Sequence, residues 1–133
     1  MSRENVEVVR RWIEFYNRRE IERLLGLSDA DCEIRSVFAT LESDGVFHGH
    51  AGLVEYFAAL DDAYEHFRLV PRDFIDAGEA VLMPADVDWR GKESGAQGSM
   101  LVFPVLWLRE GKLYRERTFT HEAEALEAVG LRE

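Results

Sequence analysis

The stretch Gln97-Gly98-Ser99-Met100-Leu101-Val102-Phe103-Pro104-Val105-Leu106-Trp107-Leu108-Arg109 is apolar at every position from Met100 to Leu108. Its content of branched and aromatic side chains predicts a strand. Successive side chains of a strand alternate between faces. Leu101, Phe103, Val105 and Trp107 therefore share one face, and Met100, Val102, Leu106 and Leu108 share the other. An antiparallel strand that is apolar on both sides needs two covers. Helices elsewhere in the chain supply one. A second copy of the chain is the natural source of the other, which predicts a homodimer through the outer sheet face.

Reading outward from this strand, Glu110-Gly111-Lys112 reverses the chain into a last strand from Leu113 to Thr120. Upstream, Phe67 to Ile75 and Ala80 to Trp89 read as strands, turned at Asp76-Ala77-Gly78 and Arg90-Gly91-Lys92. Pro84 and Pro104 interrupt strand patterns, and a proline cannot donate to a ladder, so each marks a bulge or an edge. The first half is helical. Ser2 can cap a helix carrying Val6, Val9, Ile13 and Tyr16 at helical spacing, with Trp12 beside them. A short helix follows over Ile21 to Leu25, stopped by Gly26. Cys32, Ile34 and Ser36 alternate with charged residues as in a strand, and Ala39 to Gly45 reads as a loop. Gly49 and Gly52 frame a third helix with Leu53, Tyr56, Phe57, Leu60 and Tyr64 on one face. Glu122 to Val129 forms a terminal helix, ended by Gly130. Helices followed by a strand meander is an α+β pattern. There is no βαβ alternation and no Gly-rich phosphate loop.

The 133 residues suit a single domain over 1–133, and 47% hydrophobic with 32% charged residues is a globular balance. Lys and Arg number 16 against 26 Asp and Glu, a net charge of -10. That balance argues against nucleic acid or an anionic membrane surface as partner, since both need a basic patch. One cysteine, Cys32, cannot form an internal disulfide and reads as a small buried hydrophobe. No apolar signal core follows Met1, and no segment approaches the ~20 apolar residues of a membrane span. The expected location is the cytoplasm.

The order of elements carries a resemblance when several stretches are set beside it. These are Val8-Val9-Arg10-Arg11-Trp12 through Tyr16-Asn17, and Phe47-His48-Gly49-His50-Ala51-Gly52-Leu53 with Tyr56-Phe57. To them are added Ser94-Gly95, Glu110-Gly111-Lys112-Leu113 and the ending from Ala123 to Leu131. Together they resemble the SnoaL-like branch of the nuclear-transport-factor-2-like superfamily, which includes polyketide cyclases, ketosteroid isomerase and limonene epoxide hydrolase. The resemblance implies a cone in which a strongly curved antiparallel sheet wraps N-terminal helices around an interior pocket for a small apolar molecule. The scaffold hosts enzymes and non-catalytic binders alike, so the expected function is proton transfer on an apolar metabolite by pocket carboxylates, with a non-catalytic ligand-binding or dimeric accessory domain as the alternative. Ketosteroid isomerases use a tyrosine in the first helix, an aspartate base after the first strand and a protonated aspartic acid in a later strand. These positions match Trp12, a site near Ser36 and a site near Pro104, none of which keeps the chemistry. The Asp-Arg-Asp constellation of limonene epoxide hydrolases has no counterpart that can be placed. SnoaL-like cyclases use an acidic general base.

By residue type, the acids that could fill such a role are Asp86, Asp88 and Glu116. Asp86 and Asp88 are two apart in a strand and share a face. The family match sets Leu82, Pro84, Asp86 and Asp88 inward, with Tyr114, Glu116 and Thr118 inward on the last strand. Carboxylates gathered in an apolar cone would raise at least one pKa toward the range of a general acid or base. The other reading turns Asp86 and Asp88 to water beside Arg90-Gly91, and makes Glu116, between Arg115 and Arg117, part of an exposed charged strand. His121, opening the terminal helix, is a further candidate for proton transfer or simply a helix-entry residue. Trp12, Tyr16, Tyr56 and Tyr114 are candidate ligand-binding residues, each offering a polar tip on an apolar body; ordinary core packing is the alternative. His48 and His50 lack a third ligand at a telling spacing, so no metal and no cofactor are expected.

Overall fold

The computed structural model describes residues 2–38 and 45–131. The side chain of Ser2, expected to cap the first helix, and residues 39–44 of the expected loop lie outside the described residues.

Helix α1 (Ser2–Arg18) buries Val9, Trp12, Ile13 and Tyr16, the stripe its spacing predicts. It is followed by α2 (Ile21–Gly26) and strand β1 (Ser28–Arg35), where Ser28, Cys32 and Ile34 turn inward. A short strand, β2 (Val46–His48), leads into α3 (Gly49–Ala63), which buries Leu53, Tyr56, Phe57 and Leu60. Tyr64, expected on that helical face, instead starts β3 (Tyr64–Pro71), because its extended backbone pairs with Gly91 across the sheet. Strands β4 (Ile75–Asp76), β5 (Ala80–Leu82), β6 (Ala85–Gly91), β7 (Gln97–Arg109) and β8 (Lys112–Phe119) follow, then α4 (Glu122–Ala128).

The sheet is built on β7. Its first half pairs with β6, from Arg90↔Gln97 to Ala85↔Val102. Its second half pairs with β5, from Leu82↔Val105 to Ala80↔Trp107. The change of partner falls at Met83-Pro84, where the expected continuous strand from Ala80 to Trp89 is broken. The Met83 N–H donates to the Pro104 carbonyl at 2.9 Å. In a strand the N–H and C=O of one residue point to the same side. The missing N–H of Pro104 therefore faces the break between β5 and β6, where no ladder donor is required. On its other edge β7 pairs antiparallel with β8. Strand β8 in turn runs parallel to β1, so the sheet is mixed rather than wholly antiparallel. More than half of the chain separates these two strands, and no hairpin constrains their direction. The sheet is curved and unclosed, wrapping α1 and α3.

Two apolar clusters result. The larger fills the inside of the cone with the stripes of α1 and α3, together with Val81, Met83, Ala85, Val87, Val102, Leu106 and Leu108. The smaller lies on the outer side of the sheet, where Ala80, Leu82, Phe103, Val105 and Phe119 pack beneath Ala125 and Leu126 of α4. The second cover expected from a partner subunit is thus supplied, for Phe103 and Val105, by the chain's own terminal helix.

Two glycines set the entry of α3. Gly49 has φ +70°, a conformation that side chains rarely adopt, and Gly52 lies against the backbone of Phe47. A Cβ at Gly52 would sit 2.9 Å from the Phe47 carbonyl carbon. Gly52→Ala is expected to lower unfolding stability by ~1–3 kcal/mol; an unchanged urea midpoint would mean that α3 can shift away from β2 without loss.

Candidate functional site

Among the described residues, the inside of the cone holds one carboxylate, Glu116. Glu116 and Thr118 are two apart on β8, so both side chains point inward, and both are buried, Glu116 at 7% exposure. The Thr118 hydroxyl donates to Glu116 Oε2 at 2.6 Å. Burial pushes the Glu116 carboxyl up to about 8, and the Thr118 hydrogen bond only partly opposes this. In the same space, the Tyr16 hydroxyl from α1 and the Tyr56 hydroxyl from α3 are hydrogen-bonded at 2.5 Å. Burial holds both phenols well above their usual range, and the nearby Glu116 charge acts in the same direction. Ser36, just after β1, acts on the Tyr56 phenol in the opposite direction. Trp12 donates its indole N–H to Ser28 Oγ at 3.0 Å, and that hydroxyl donates to the Leu24 carbonyl at 2.8 Å. These groups surround a closed cavity of about 20 Å³ lined by Trp12, Tyr16, Tyr56, Glu116, Thr118 and Pro104. Ile13, Ile34, Phe38, Leu69, Met83 and Leu106 complete it with apolar surface. The volume is that of a single water. The arrangement presents a protonatable carboxyl and two phenol hydroxyls in a dry environment, where each hydrogen bond is stronger than in water.

The other sequence-derived positions fall elsewhere. Asp86 and Asp88 share a face, but it is the outer one. Val81, Met83, Ala85 and Val87 take the inner positions that the family match gave to Leu82, Pro84, Asp86 and Asp88. The physical reason is the apolar alternation itself, which sends the hydrophobic set to the core. Asp86 accepts two hydrogen bonds from the Arg72 guanidinium, at 2.8 and 3.0 Å, which hold its carboxyl below the usual range rather than above it. Asp88 lines an open surface groove with His66, Arg90 and Ser99. The three carboxylates therefore do not converge.

Tyr114 also leaves the inward set. A register irregularity between β7 and β8 pairs Leu108 with Leu113 and Trp107 with Arg115, leaving Tyr114 as the extra residue. Leu113 is buried in its place, and the Arg109 guanidinium lies 4.4 Å from the Tyr114 ring centre. His121 is exposed at the start of α4 and does not cap it through its side chain. His48 and His50 have separate partners, with His48 Nδ1 4.0 Å from Glu33 and His50 Nε2 2.9 Å from the Ser28 carbonyl. Phe38 lines the cavity from a segment that is neither helix nor strand, and no periodicity could have singled it out.

Residues 9–116 match the model of the SnoaL-like domain family, well over half of the chain. The chain belongs to this family. Solved structures agree on the fold. TerC, crystallised with polyporic acid, superposes with a TM-score of 0.79 at 23% identity, covering 95% of this chain and 98% of that one. A protein with a ketosteroid isomerase-like fold from Catenulispora acidiphila DSM 44928, in complex with trimethylamine, gives 0.74 at 17% identity, covering 94% and 93%. A putative polyketide cyclase from Xanthomonas campestris pv. campestris gives 0.72 at 18% identity, covering 97% and 98%. At these identities the likeness is one of fold. No curated protein matches the chain. Within this SnoaL-like frame, Trp12 and Pro104, matched above to ketosteroid isomerase positions, do line the cavity, but Tyr16, one turn beyond Trp12, brings the phenol into it.

The raised carboxyl has a measurable consequence. Below the unfolded value of ~4.3, Glu116 is protonated in both folded and unfolded chains. Between there and about 8 the folded protein holds a proton that the unfolded chain has released. Stability is then lost as pH rises, by at most about 1.4 kcal/mol per unit, and the loss is complete above the folded value. Asp29 and Asp86, whose values are lowered, contribute only in the acid range below this window. Glu116→Gln removes the slope. Urea midpoints between pH 5 and 8 should show wild type falling progressively behind the Gln variant, whereas parallel curves would mean that Glu116 ionises at an ordinary value.

Proposed function

We propose that this SnoaL-like protein transfers a proton on a small, largely apolar metabolite, in an isomerase, cyclase or hydrolase type of reaction, with Glu116 as the general acid–base. The observation that carries this reading is the buried Glu116 facing the Tyr16–Tyr56 pair in an otherwise apolar cavity. A carboxyl near 8 is about one-tenth ionised at pH 7, so it serves as an acid directly and as a base through a minor fraction. The paired phenols are donors suited to a developing oxyanion. The small ligands bound to TerC and to the Catenulispora protein support a small-molecule role on this scaffold. Asp86, Asp88, His121 and Tyr114 have no part in this reading. We also propose that residues 1–133 act as one domain, with no bound cofactor. The buried, unpaired Cys32 favours the reducing cytoplasm.

The test is hydrogen–deuterium exchange at the α′- and γ-carbons of a panel of uncharged cyclic enones in D2O, followed by NMR. Wild type should accelerate exchange on at least one, and Glu116→Gln should reduce the rate by ~10²–10⁴-fold. The small closed volume favours a second reading, a non-catalytic binder. Ligand-dependent chemical shifts around Tyr16 and Tyr56, with no exchange on any enone, would establish that reading instead.

For the homodimer we place the contact at Leu101, 38% exposed, and Trp107, half-buried beneath the Arg115 guanidinium, because Phe103 and Val105 are occupied by α4. Trp107→Glu is expected to shift sedimentation from dimer to monomer at micromolar concentration. A wild type that sediments only as monomer would dispose of the dimer.

A further inference from the structure

Beyond the closed cavity, at the open end of the cone, lies a second chamber of about 260 Å³. Tyr64, Phe67, Trp89 and Met100 form its walls, with Thr120 and Val37 at the edge, and among the described residues no charged side chain takes part. Met100 is 41% exposed, an apolar side chain held at a wet edge. Phe38 lines both chambers. Its ring meets Phe67 edge-on at 5.1 Å and has no polar atom to fix it. Its backbone is held more firmly, since the Phe38 N–H donates to Ser36 Oγ at 2.9 Å and the Ser36 N–H donates to the Gly45 carbonyl at 2.8 Å. The ring therefore stands on an anchored backbone and is retained by apolar contact alone. Neither chamber by itself reaches the ~300 Å³ at which ordinary small-molecule sites begin, and removing the ring between them joins the two.

We propose that Phe38 is the partition of a two-chamber site, and that the side chain at this position determines whether an uncharged, flat, mostly apolar molecule seated in the outer chamber reaches Glu116. The outer walls select this ligand class. Tyr64, Phe67 and Trp89 present ring faces and edges, Met100 adapts its shape to a ring, and an anionic ligand would lose hydration there with only the Tyr64 and Thr120 hydroxyls to replace it. The inner chamber holds Glu116 and the Tyr16–Tyr56 pair. A ligand stopped at Phe38 is bound without chemistry; one whose leading edge passes it meets the carboxyl. The proposal rests on the reading of Glu116 given above for its chemical meaning, but not for its binding behaviour.

The experiment uses N-phenyl-1-naphthylamine, a neutral apolar dye whose emission rises on leaving water, titrated into the full chain. Wild type should bind it in the outer chamber, and Met100→Glu should weaken binding by roughly tenfold or more, because the dye then has to bury a charge. Phe38→Ala should tighten binding roughly tenfold as more of the dye leaves water, with Phe38→Leu between the two. The decisive arm is the coupling. Glu116→Gln should leave dye affinity unchanged when Phe38 is present, and should alter it at least about threefold in the Phe38→Ala background. Far-UV circular dichroism checks that each variant is folded, and Phe38→Leu carries the comparison if the Ala variant is not. Equal effects of Glu116→Gln in both backgrounds, no change of affinity on shrinking Phe38, or no effect of Met100→Glu would each overturn the proposal. Absence of enone exchange with the coupling intact would reject proton transfer and leave the partition standing.

Discussion

The fold depends on one constraint, that β7 must be buried on both faces. Its inner positions meet α1 and α3, and its outer positions Phe103 and Val105 meet α4. A slip of one residue would send the whole inner set to the outer side, so its register is strongly specified. That register places the acid. Leu106 pairs with Glu116 and Pro104 with Thr118, and both pairs point into the cone. The partner change at Pro104 bends the sheet at the same level. The carboxyl therefore lies where the curvature closes over the helices, and a strand that reads as plain core fixes the position of the only charged type of side chain that the described residues place inside.

Glu116 is expensive to hold there as an anion, and one hydroxyl from Thr118 does not replace its hydration. Protonation is the cheaper solution, which is why its proton is retained to about 8. The two tyrosines face the same restriction and remain phenols. The inner cavity is thus a set of neutral groups with protons to give, stabilised by contact with each other. The same fold in ketosteroid isomerases places different groups around such a space. The family relation fixes the scaffold, while the chemistry follows from the particular residues set upon it.

Much of the architecture was legible in local pattern. The α1 stripe of Val9, Trp12, Ile13 and Tyr16 and the α3 stripe through Leu60 follow from helical periodicity, and the two-sided β7 follows from its unbroken apolar run. Three features were not legible. The parallel pairing of β1 with β8 joins distant segments and has no local code. The bulge at Tyr114 replaces one inward residue by its neighbour with no turn residue to announce it. The segment after Ser36 has no period, so Phe38 could not be distinguished from an ordinary loop residue.

The acids divide the two sources of information most clearly. Sequence by itself determined that Asp86 and Asp88 share a face and that Glu116 and Thr118 share one, because strand side chains alternate with a period of two. Only the tertiary structure decided which of those faces is inside. Parity fixes the relation between neighbours on one strand, but the absolute side depends on what covers it. On β6 the apolar partners of α1 and α3 are Ala85 and Val87, which leaves Asp86 to Arg72 and the solvent. On β8 it is Arg115 and Arg117 that lie outside, over Trp107 and Phe119, and Glu116 is carried inward by the register of β7.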